Sequence, residues 1–162
     1  MIDETVEEIR EMQTHSSSVV AIKAAEALRE LLDREFATVE GYVRSLERNS
    51  SALRRAQSSH ASLYNTQQEI VGRVQSVEHG TVEAAKAETE QAIEAVVKAV
   101  ETDKHDAAAQ AVDLLPDGAT VLTHDYSSTV VEAIELAARE RQHREVHVTE
   151  ARPRYLGRRA AR

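Results

Sequence analysis

Residues 116–150, PDGATVLTHDYSSTVVEAIELAARERQHREVHVTE, determine the fold class of this chain. Pro-Asp-Gly favours a turn, and the run that follows at 119–123 is short, apolar and rich in β-formers. Residues 129–142 then carry valine, isoleucine and leucine at helical spacing, and 145–150 indicate a second short strand. The order strand, helix, strand predicts a βαβ unit with parallel strands and a right-handed crossover, which is how a Rossmann-like sheet begins.

The chain upstream of this stretch predicts only helices. Apolar residues recur there every three or four positions, and the segments between them are polar or contain glycine. The predicted helices cover 2–12, 19–32, 38–56, 61–78, 81–100 and 106–115. The expected fold class is therefore α+β, with a helical N-terminal bundle at 1–115 and the first βαβ unit of a truncated Rossmann-like domain at 116–162.

The βαβ segment is too small to be a complete sheet domain. Two parallel strands do not form an independently stable sheet, and a parallel sheet normally has both faces covered. The Arg-rich end at 157–162, GRRAAR, indicates the first turn of another helix. We therefore expect the chain to be a fragment of a longer protein.

Composition excludes several classes of function. The net charge of -8 argues against direct nucleic-acid binding or attraction to an anionic membrane, and no apolar run is long enough to span a bilayer. The absence of Cys excludes a disulfide framework, a thiolate metal site and a cysteine nucleophile. The N-terminus is acidic and unlike a signal segment, so we expect a cytoplasmic protein.

The charge is distributed unevenly along the chain. Residues 139–162 hold eight Arg and three Glu, whereas residues 1–138 hold 12 basic and 25 acidic groups. Only four of the 20 basic residues are Lys. An acidic chain poor in Lys is typical of a halophilic cytosol, where salt screens self-repulsion, although a GC-rich coding bias also favours Arg over Lys.

The turn at 123–128 is the first candidate ligand site. It follows a predicted strand and begins a helix, so its backbone N–H groups and helix dipole favour an anion such as phosphate. Ser127 and Ser128 could donate hydroxyl hydrogen bonds to that anion, or either could simply cap the helix. His124 could bind a phosphate or a sugar hydroxyl, or could bond to nearby backbone instead.

Three further features complete the candidate site. Glu150 and Arg152 follow the second strand, where a carboxylate suits sugar hydroxyls and a guanidinium suits phosphate, unless they are solvated surface charges. Ser16 and Ser17 lie in a turn before a helix, where they could bind an anion or only cap the helix. The remaining histidines share no metal-binding spacing, and no G-x-G-x-x-G follows the strand. We therefore predict no metal, no cofactor and no catalytic residue in this chain.

Several motifs together resemble the translation initiation factor 2B subunits (alpha, beta and delta type) and the archaeal ribose 1,5-bisphosphate isomerases related to them. The strongest are VLTHDYSSTVVEAIELA at 121–137 and VHVTEARPRYLGRR at 146–159. Weaker similarities are HSSSVVAIKAAEAL at 15–28 and SSHASLYN at 58–65. The resemblance implies a helical domain followed by the start of a Rossmann-like domain, and it implies that family members continue beyond Arg162.

The chain departs from the isomerases at two positions. The resemblance implies a Cys after the Thr-His pair, working with an Asp from a later segment, but Asp125 stands there and that segment is absent. His15-Ser16-Ser17 stand where the isomerases have Arg-Gly-Ala, so a phosphate-pairing guanidinium is missing. The Thr-His-x-Tyr-Ser form is similar to the regulatory alpha-type subunits.

These observations leave three hypotheses for function. The first is a regulatory or scaffold subunit of the initiation factor 2B type, with a crevice for a phosphate, a sugar phosphate or a nucleotide. The second is an aldose-ketose isomerase acting on ribose 1,5-bisphosphate, and the third is a helical interaction or adaptor protein. The uncovered βαβ segment predicts a homo-oligomer, most simply a dimer, or assembly with related family subunits.

Overall fold

The computed structural model describes residues 2–12, 15–139, 145–152 and 155–161. They form helices and one small parallel sheet, which confirms the predicted α+β class with the beginning of a Rossmann-like unit. The elements are α1 (Ile2–Glu11), α2 (Ser17–Ala27) with a 3₁₀ turn (Leu28–Leu31), α3 (Val39–Ala56), α4 (Ala61–Gln75), α5 (Val82–Leu114), β1 (Thr120–His124), α6 (Ser128–Arg139), β2 (Glu145–Thr149) and α7 (Gly157–Ala160).

One predicted boundary is wrong. Residues 81–100 and 106–115 were expected to form two helices, but α5 runs without interruption through 33 residues. The segment 101–105, ETDKH, has no apolar side chain, so the periodic stripe disappears there although no Gly or Pro stops the helix. A local loss of amphipathicity is therefore not sufficient to end this helix.

The chain forms two compact units, residues 1–100 and 101–162. In the first, alanines of α2 and larger side chains of the other helices build one apolar core. Fully buried leucines and isoleucines in this core are Ile9, Leu28, Leu31, Leu46, Leu53, Leu63, Ile70 and Ile93. Burial of such side chains contributes about 1.5–3 kcal/mol each relative to exposure, so this core is a large favourable contribution to the folding of the first unit.

A buried polar contact adds specificity to this core. The Tyr42 hydroxyl donates to Thr89 Oγ1 at 2.8 Å, and Thr89 Oγ1 in turn donates to the carbonyl of Ala85 at 2.8 Å. Burial raises the pKa of Tyr42, which keeps the phenol protonated and able to donate. The ring of Phe36 meets the Tyr42 ring edge-on, with centroids 5.1 Å apart.

The second unit contains the sheet and the last turns of α5. Strands β1 and β2 pair in parallel, from Thr120 opposite Glu145 to His124 opposite Thr149. Helix α6 packs on α5 through small side chains, Ala133 and Ala137 against Ala108 and Val112. Leu122 of β1 is 72% exposed, which shows that these elements cover only part of the sheet.

Two apolar features of this unit face solvent. Leu114, at the end of α5, is 83% exposed, and an apolar groove of about 170 Å³ lies between α5, α6 and β1. Large exposed side chains of this kind are typical of a surface that another element or chain covers. Within the described part of the chain, none of the helices is both long and apolar enough to cross a membrane.

The Tyr42 contact predicts that Tyr→Phe substitutions at two positions will change the free energy of unfolding by different amounts. Tyr42→Phe should lower the free energy of unfolding by about 0.5–1.5 kcal/mol, because it removes the buried hydrogen bond that the Tyr42 hydroxyl donates to Thr89 Oγ1. Tyr64→Phe is the matched control, since the Tyr64 hydroxyl accepts its hydrogen bond from Gln68 at an exposed position. Urea unfolding of both variants checks the prediction, and equal losses would contradict it.

Candidate functional site

The register of the sheet brings the ends of β1 and β2 to one edge. Because His124 pairs with Thr149, the loop at 125–128 and the loop at 150–152 begin side by side. The backbone N–H of Asp125 donates to the Thr149 carbonyl at 2.8 Å, which extends the strand pairing by one bond. We call these two loops, together with His124, the carboxyl edge; ligands of open α/β sheets bind at such edges.

His124 is fixed by a hydrogen bond across the edge. Its Nδ1 lies 2.7 Å from Thr149 Oγ1, and that hydroxyl lies 3.5 Å from the Thr123 carbonyl. The imidazole is exposed, so its second nitrogen is available to solvent or a ligand. The structure thus holds His124 at the edge through Thr149, a partner that the sequence did not indicate.

Asp125 has an unusual backbone and an unusual side chain. Its φ of 58° lies in the left-handed region, which few residues other than glycine adopt, although Asp tolerates it better than most. Its Oδ1 is buried and has no hydrogen-bond partner among the described residues. Backbone strain and an unpaired buried oxygen both cost free energy, and such features concentrate at functional sites.

The two serines of the turn have different environments. Ser127 Oγ accepts from the Val130 N–H at 3.4 Å, so its side chain caps α6. Ser128 is the first residue of α6, and its side chain lines a polar cavity of about 450 Å³. The Ser127 hydroxyl accepts the capping bond and keeps its own proton, and Ser128 lines the cavity, so either side chain can still donate to a ligand.

Glu150 is paired, but with a residue that the sequence did not single out. Its Oε1 accepts from Arg158 Nε at 3.2 Å and lies 3.1 Å from Arg158 Nη2, a two-nitrogen contact with one carboxylate oxygen. Arg152 lies at the same edge, is exposed, and makes no hydrogen bond or ion pair with other described residues. Because Thr149 pairs with His124, the loop that carries Glu150 and Arg152 begins beside the first turn, and a ligand role for either residue stays a prediction.

A glycine brings Arg158 to this position. A Cβ on Gly157 would lie 2.6 Å from the Thr149 carbonyl oxygen and 2.9 Å from Glu150 Cβ, so only Gly permits α7 to approach β2 this closely. The next residue, Arg159, places its guanidinium 4.7 Å from the centre of the Tyr126 ring. The sequence did contain a signal for this arrangement. It is Gly157-Arg158-Arg159, because a Gly beside two Arg allows both Arg side chains to reach the carboxyl edge.

The polar cavity beside Ser128 contains a cluster of charges. Glu132 binds Lys104 Nζ through Oε2 and His105 Nδ1 through Oε1, each at 2.9 Å. Hydrogen bonds from Lys104 and then His105 lower the pKa of the Glu132 carboxyl below its ordinary value. This carboxylate therefore stays charged at neutral pH, and it links α6 to α5.

The remaining predicted ligand residues, Ser16 and Ser17, lie in the first unit. Ser16 Oγ accepts from the Val19 N–H at 3.4 Å and so acts as the N-cap of α2, while Ser17 is exposed. Their part in a ligand site stays a prediction. Among the described residues, no group of three or more His, Asp or Glu side chains could hold a metal ion.

Comparison with known proteins identifies the family. Residues 13–162 match the Initiation factor 2 subunit family, and the chain therefore belongs to it. The resemblance that the sequence motifs predicted is confirmed. The chain is 26% identical over 154 residues to the ribose 1,5-bisphosphate isomerase of Haloferax volcanii, an alignment that covers 94% of this chain and 47% of that protein.

Solved structures share the fold. Translation initiation factor eIF-2B of Pyrococcus horikoshii OT3 matches with a TM-score of 0.82 and 24% identity, over 99% of this chain and 54% of that one. The tetrameric eIF2B-beta2-delta2 complex from C. thermophilum matches with a TM-score of 0.80 and 18% identity, over 94% and 52%. The chain thus spans about half the length of the relatives it matches.

The halophilic origin that the composition favours stays a prediction.

The close approach at Gly157 predicts the effect of one added methyl group. Gly157→Ala should displace α7 and separate Arg158 from Glu150, because the new Cβ would overlap the Thr149 carbonyl. Hydrogen exchange at 155–161 should therefore accelerate. Gly72→Ala is the matched control: no atom lies within 4 Å of its added Cβ, so it should stabilise α4 by about 0.5–1 kcal/mol. Unchanged exchange in Gly157→Ala would contradict this account of the edge.

Proposed function

We propose that this chain acts as a regulatory or scaffold subunit of the initiation factor 2B type, and that its carboxyl edge binds a phosphorylated ligand without transforming it. The observation that carries the proposal is Asp125. The resemblance of the chain to the isomerases implies a Cys at this position, but the chain has a carboxylate whose buried Oδ1 has no hydrogen-bond partner among the described residues. A carboxylate lacks the strong nucleophilicity of a thiolate, so Asp125 does not supply the nucleophile of a cysteine-dependent reaction.

Binding of phosphate is supported by the donors at this edge. The first turn of α6 presents backbone N–H groups and the positive end of a 12-residue helix dipole, and the Ser128 hydroxyl stands at its start. Arg152 adds an exposed guanidinium without a protein partner among the described residues. Arg158 is engaged with Glu150, so we assign the direct phosphate contact to Arg152.

The isomerase is the second candidate, because the Haloferax volcanii relative bears that name. Incubation of the 162-residue chain with ribose 1,5-bisphosphate, followed by product analysis, tests the regulatory proposal. We expect no turnover above the rate in buffer, since no residue in the cysteine position can supply thiolate chemistry. Turnover well above that rate would favour the isomerase and refute the regulatory proposal.

Removal of the free guanidinium should weaken ligand binding. Arg152→Ala is expected to reduce the affinity for a sugar phosphate by about 1.5–3 kcal/mol, the range for a hydrogen bond to a charged group. Arg48→Ala removes the same charge from an exposed position on α3 and is the matched control. Titration calorimetry measures both, and equal affinity in wild type and Arg152→Ala would remove Arg152 from the site.

We further propose that the second unit assembles with a second copy of the chain or with related subunits. The support is the exposed apolar surface at Leu114 and Leu122, together with two parallel strands that have no further neighbour among the described residues. The C. thermophilum structure is a tetramer of beta and delta subunits, which offers a precedent within the same fold. A twofold dimer is the simplest closed assembly.

The assembly proposal predicts a different response to two charge insertions. Leu122→Glu should shift the light-scattering mass toward the monomer, because it places a charge on the uncovered face of the sheet. Val77→Glu inserts the same charge at a valine that is 52% exposed in the first unit and should leave the mass unchanged. A wild-type monomer whose residues 119–139 and 145–149 are as protected from hydrogen exchange as its helices would contradict the proposal.

A further inference from the structure

The Pro-Asp-Gly turn that precedes β1 is a motif of the sequence that the proposed function does not use. Asp117-Gly118 is the only pair in the sequence in which Gly follows an Asp or an Asn. Both residues are exposed, and the Ala119 N–H donates to the Pro116 carbonyl at 3.2 Å, which closes a β-turn. Gly118 has a φ of 74°, a conformation that glycine adopts without strain at this position of a turn.

The backbone nitrogen of Gly118 lies against the side chain of the residue before it. Gly118 N is 3.0 Å from Asp117 Oδ1, so it is also close to Cγ, the carbon that carries this oxygen. The space around Gly118 is open, because a Cβ added there would meet no atom within 4 Å. A nitrogen held beside a carboxyl carbon in an open turn favours an intramolecular condensation, since the two reacting groups are already together.

We propose that Asp117 is a site of spontaneous covalent modification, where the Asp117-Gly118 linkage becomes an isoaspartyl linkage through a cyclic succinimide. Gly118 N loses its proton and bonds to Cγ of the protonated Asp117 carboxyl, and the Cγ–OH bond breaks with release of water. A water molecule then opens the ring at the main-chain carbonyl carbon of Asp117. The bond from Gly118 N to Cγ remains, and the former main-chain carbonyl becomes a free carboxylate. The reaction is an isomerisation that oxidises nothing and needs only water.

Helices protect the two Asn side chains, which can form the same ring with loss of ammonia. Asn49 and Asn65 lie inside α3 and α4, where helical hydrogen bonds hold the backbone that would have to rotate to close a ring. Asn49 Nδ2 also donates to the Ser45 carbonyl at 2.7 Å. The turn before β1 combines what these positions lack: a Gly on the carboxyl side, an exposed backbone outside any helix, and a nitrogen beside the carboxyl group.

The isoaspartyl product changes the turn in which it forms. Its main chain passes through Cβ and Cγ of residue 117 and is one atom longer, and a carboxylate stands where the peptide carbonyl was. The hydrogen bond from Ala119 to Pro116 closes a ring of fixed size, so the inserted atom should weaken it. The modification therefore loosens the connection between α5 and β1 without changing a residue of either element.

Prolonged incubation of the folded chain, followed by labelling with a protein isoaspartyl methyltransferase, tests the proposal. The tryptic peptide 105–139 should split into two chromatographic peaks of equal mass, with the methyl label at residue 117. Asp117→Glu keeps the charge but would have to close a larger ring, so it should lose the label. Asp113→Glu, an exposed change in the last turn of α5, is the matched control and should keep it. The Ala119 N–H should exchange faster in the modified fraction.

Two results would overturn the proposal. The first is absence of label from the folded chain; label that appears only after incubation in urea would show that the native turn prevents ring closure. The second is equal labelling of wild type and Asp117→Glu, which would place the modification at another residue. Unchanged exchange of the Ala119 N–H in the labelled fraction would contradict the effect on the turn.

Discussion

The pairing of His124 with Thr149 is the constraint on which the rest of the carboxyl edge depends. It aligns the ends of the two strands, so that one residue, Thr149, serves several partners at once. Its carbonyl accepts from Asp125, and its hydroxyl holds His124. A shift of one residue in this register would turn every side chain of β2 to the opposite face and separate all of these contacts.

The second determinant of the edge is the absence of a side chain. Because Gly157 has no Cβ, the backbone of α7 packs directly against the end of β2. Arg158 can then cover Glu150, and Arg159 can cover Tyr126. The described arginines near this edge consequently make different contacts: Arg158 neutralises Glu150, Arg159 lies over the Tyr126 ring, and Arg152 has no partner among the described residues.

The elements that could be predicted from the sequence are those marked by a local signal, such as a repeated apolar spacing or a turn motif. Helical periodicity located α1, α3 and α4 to within a few residues, and the turn Pro-Asp-Gly located the start of β1, because each signal involves neighbours in the sequence. The continuity of α5 was not predictable from the same pattern, since its polar middle carries no apolar stripe. Periodicity reports on burial, and a helix can continue where nothing is buried.

The site was predictable in position but not in its pairings. Strand order was sufficient to expect Glu150 and Arg152 beside the turn at 123–128, since parallel strands end at a common edge. The partners of Glu150 and His124 were not predictable, because both contacts join residues whose separation in the sequence carries no periodic signal. The positive φ of Asp125 likewise has no signature in a residue type that usually adopts ordinary backbone angles.

The stacking of Arg159 on Tyr126 has a spectroscopic consequence. The chain has no Trp and only four Tyr, so few aromatic rings perturb its magnetic environment. A guanidinium that lies 4.7 Å above a ring centre is within range of that ring's current, which shields the protons above its face. The side-chain resonances of Arg159 should therefore appear upfield of those of the exposed arginines, and they offer an internal reporter of events at this edge in solution.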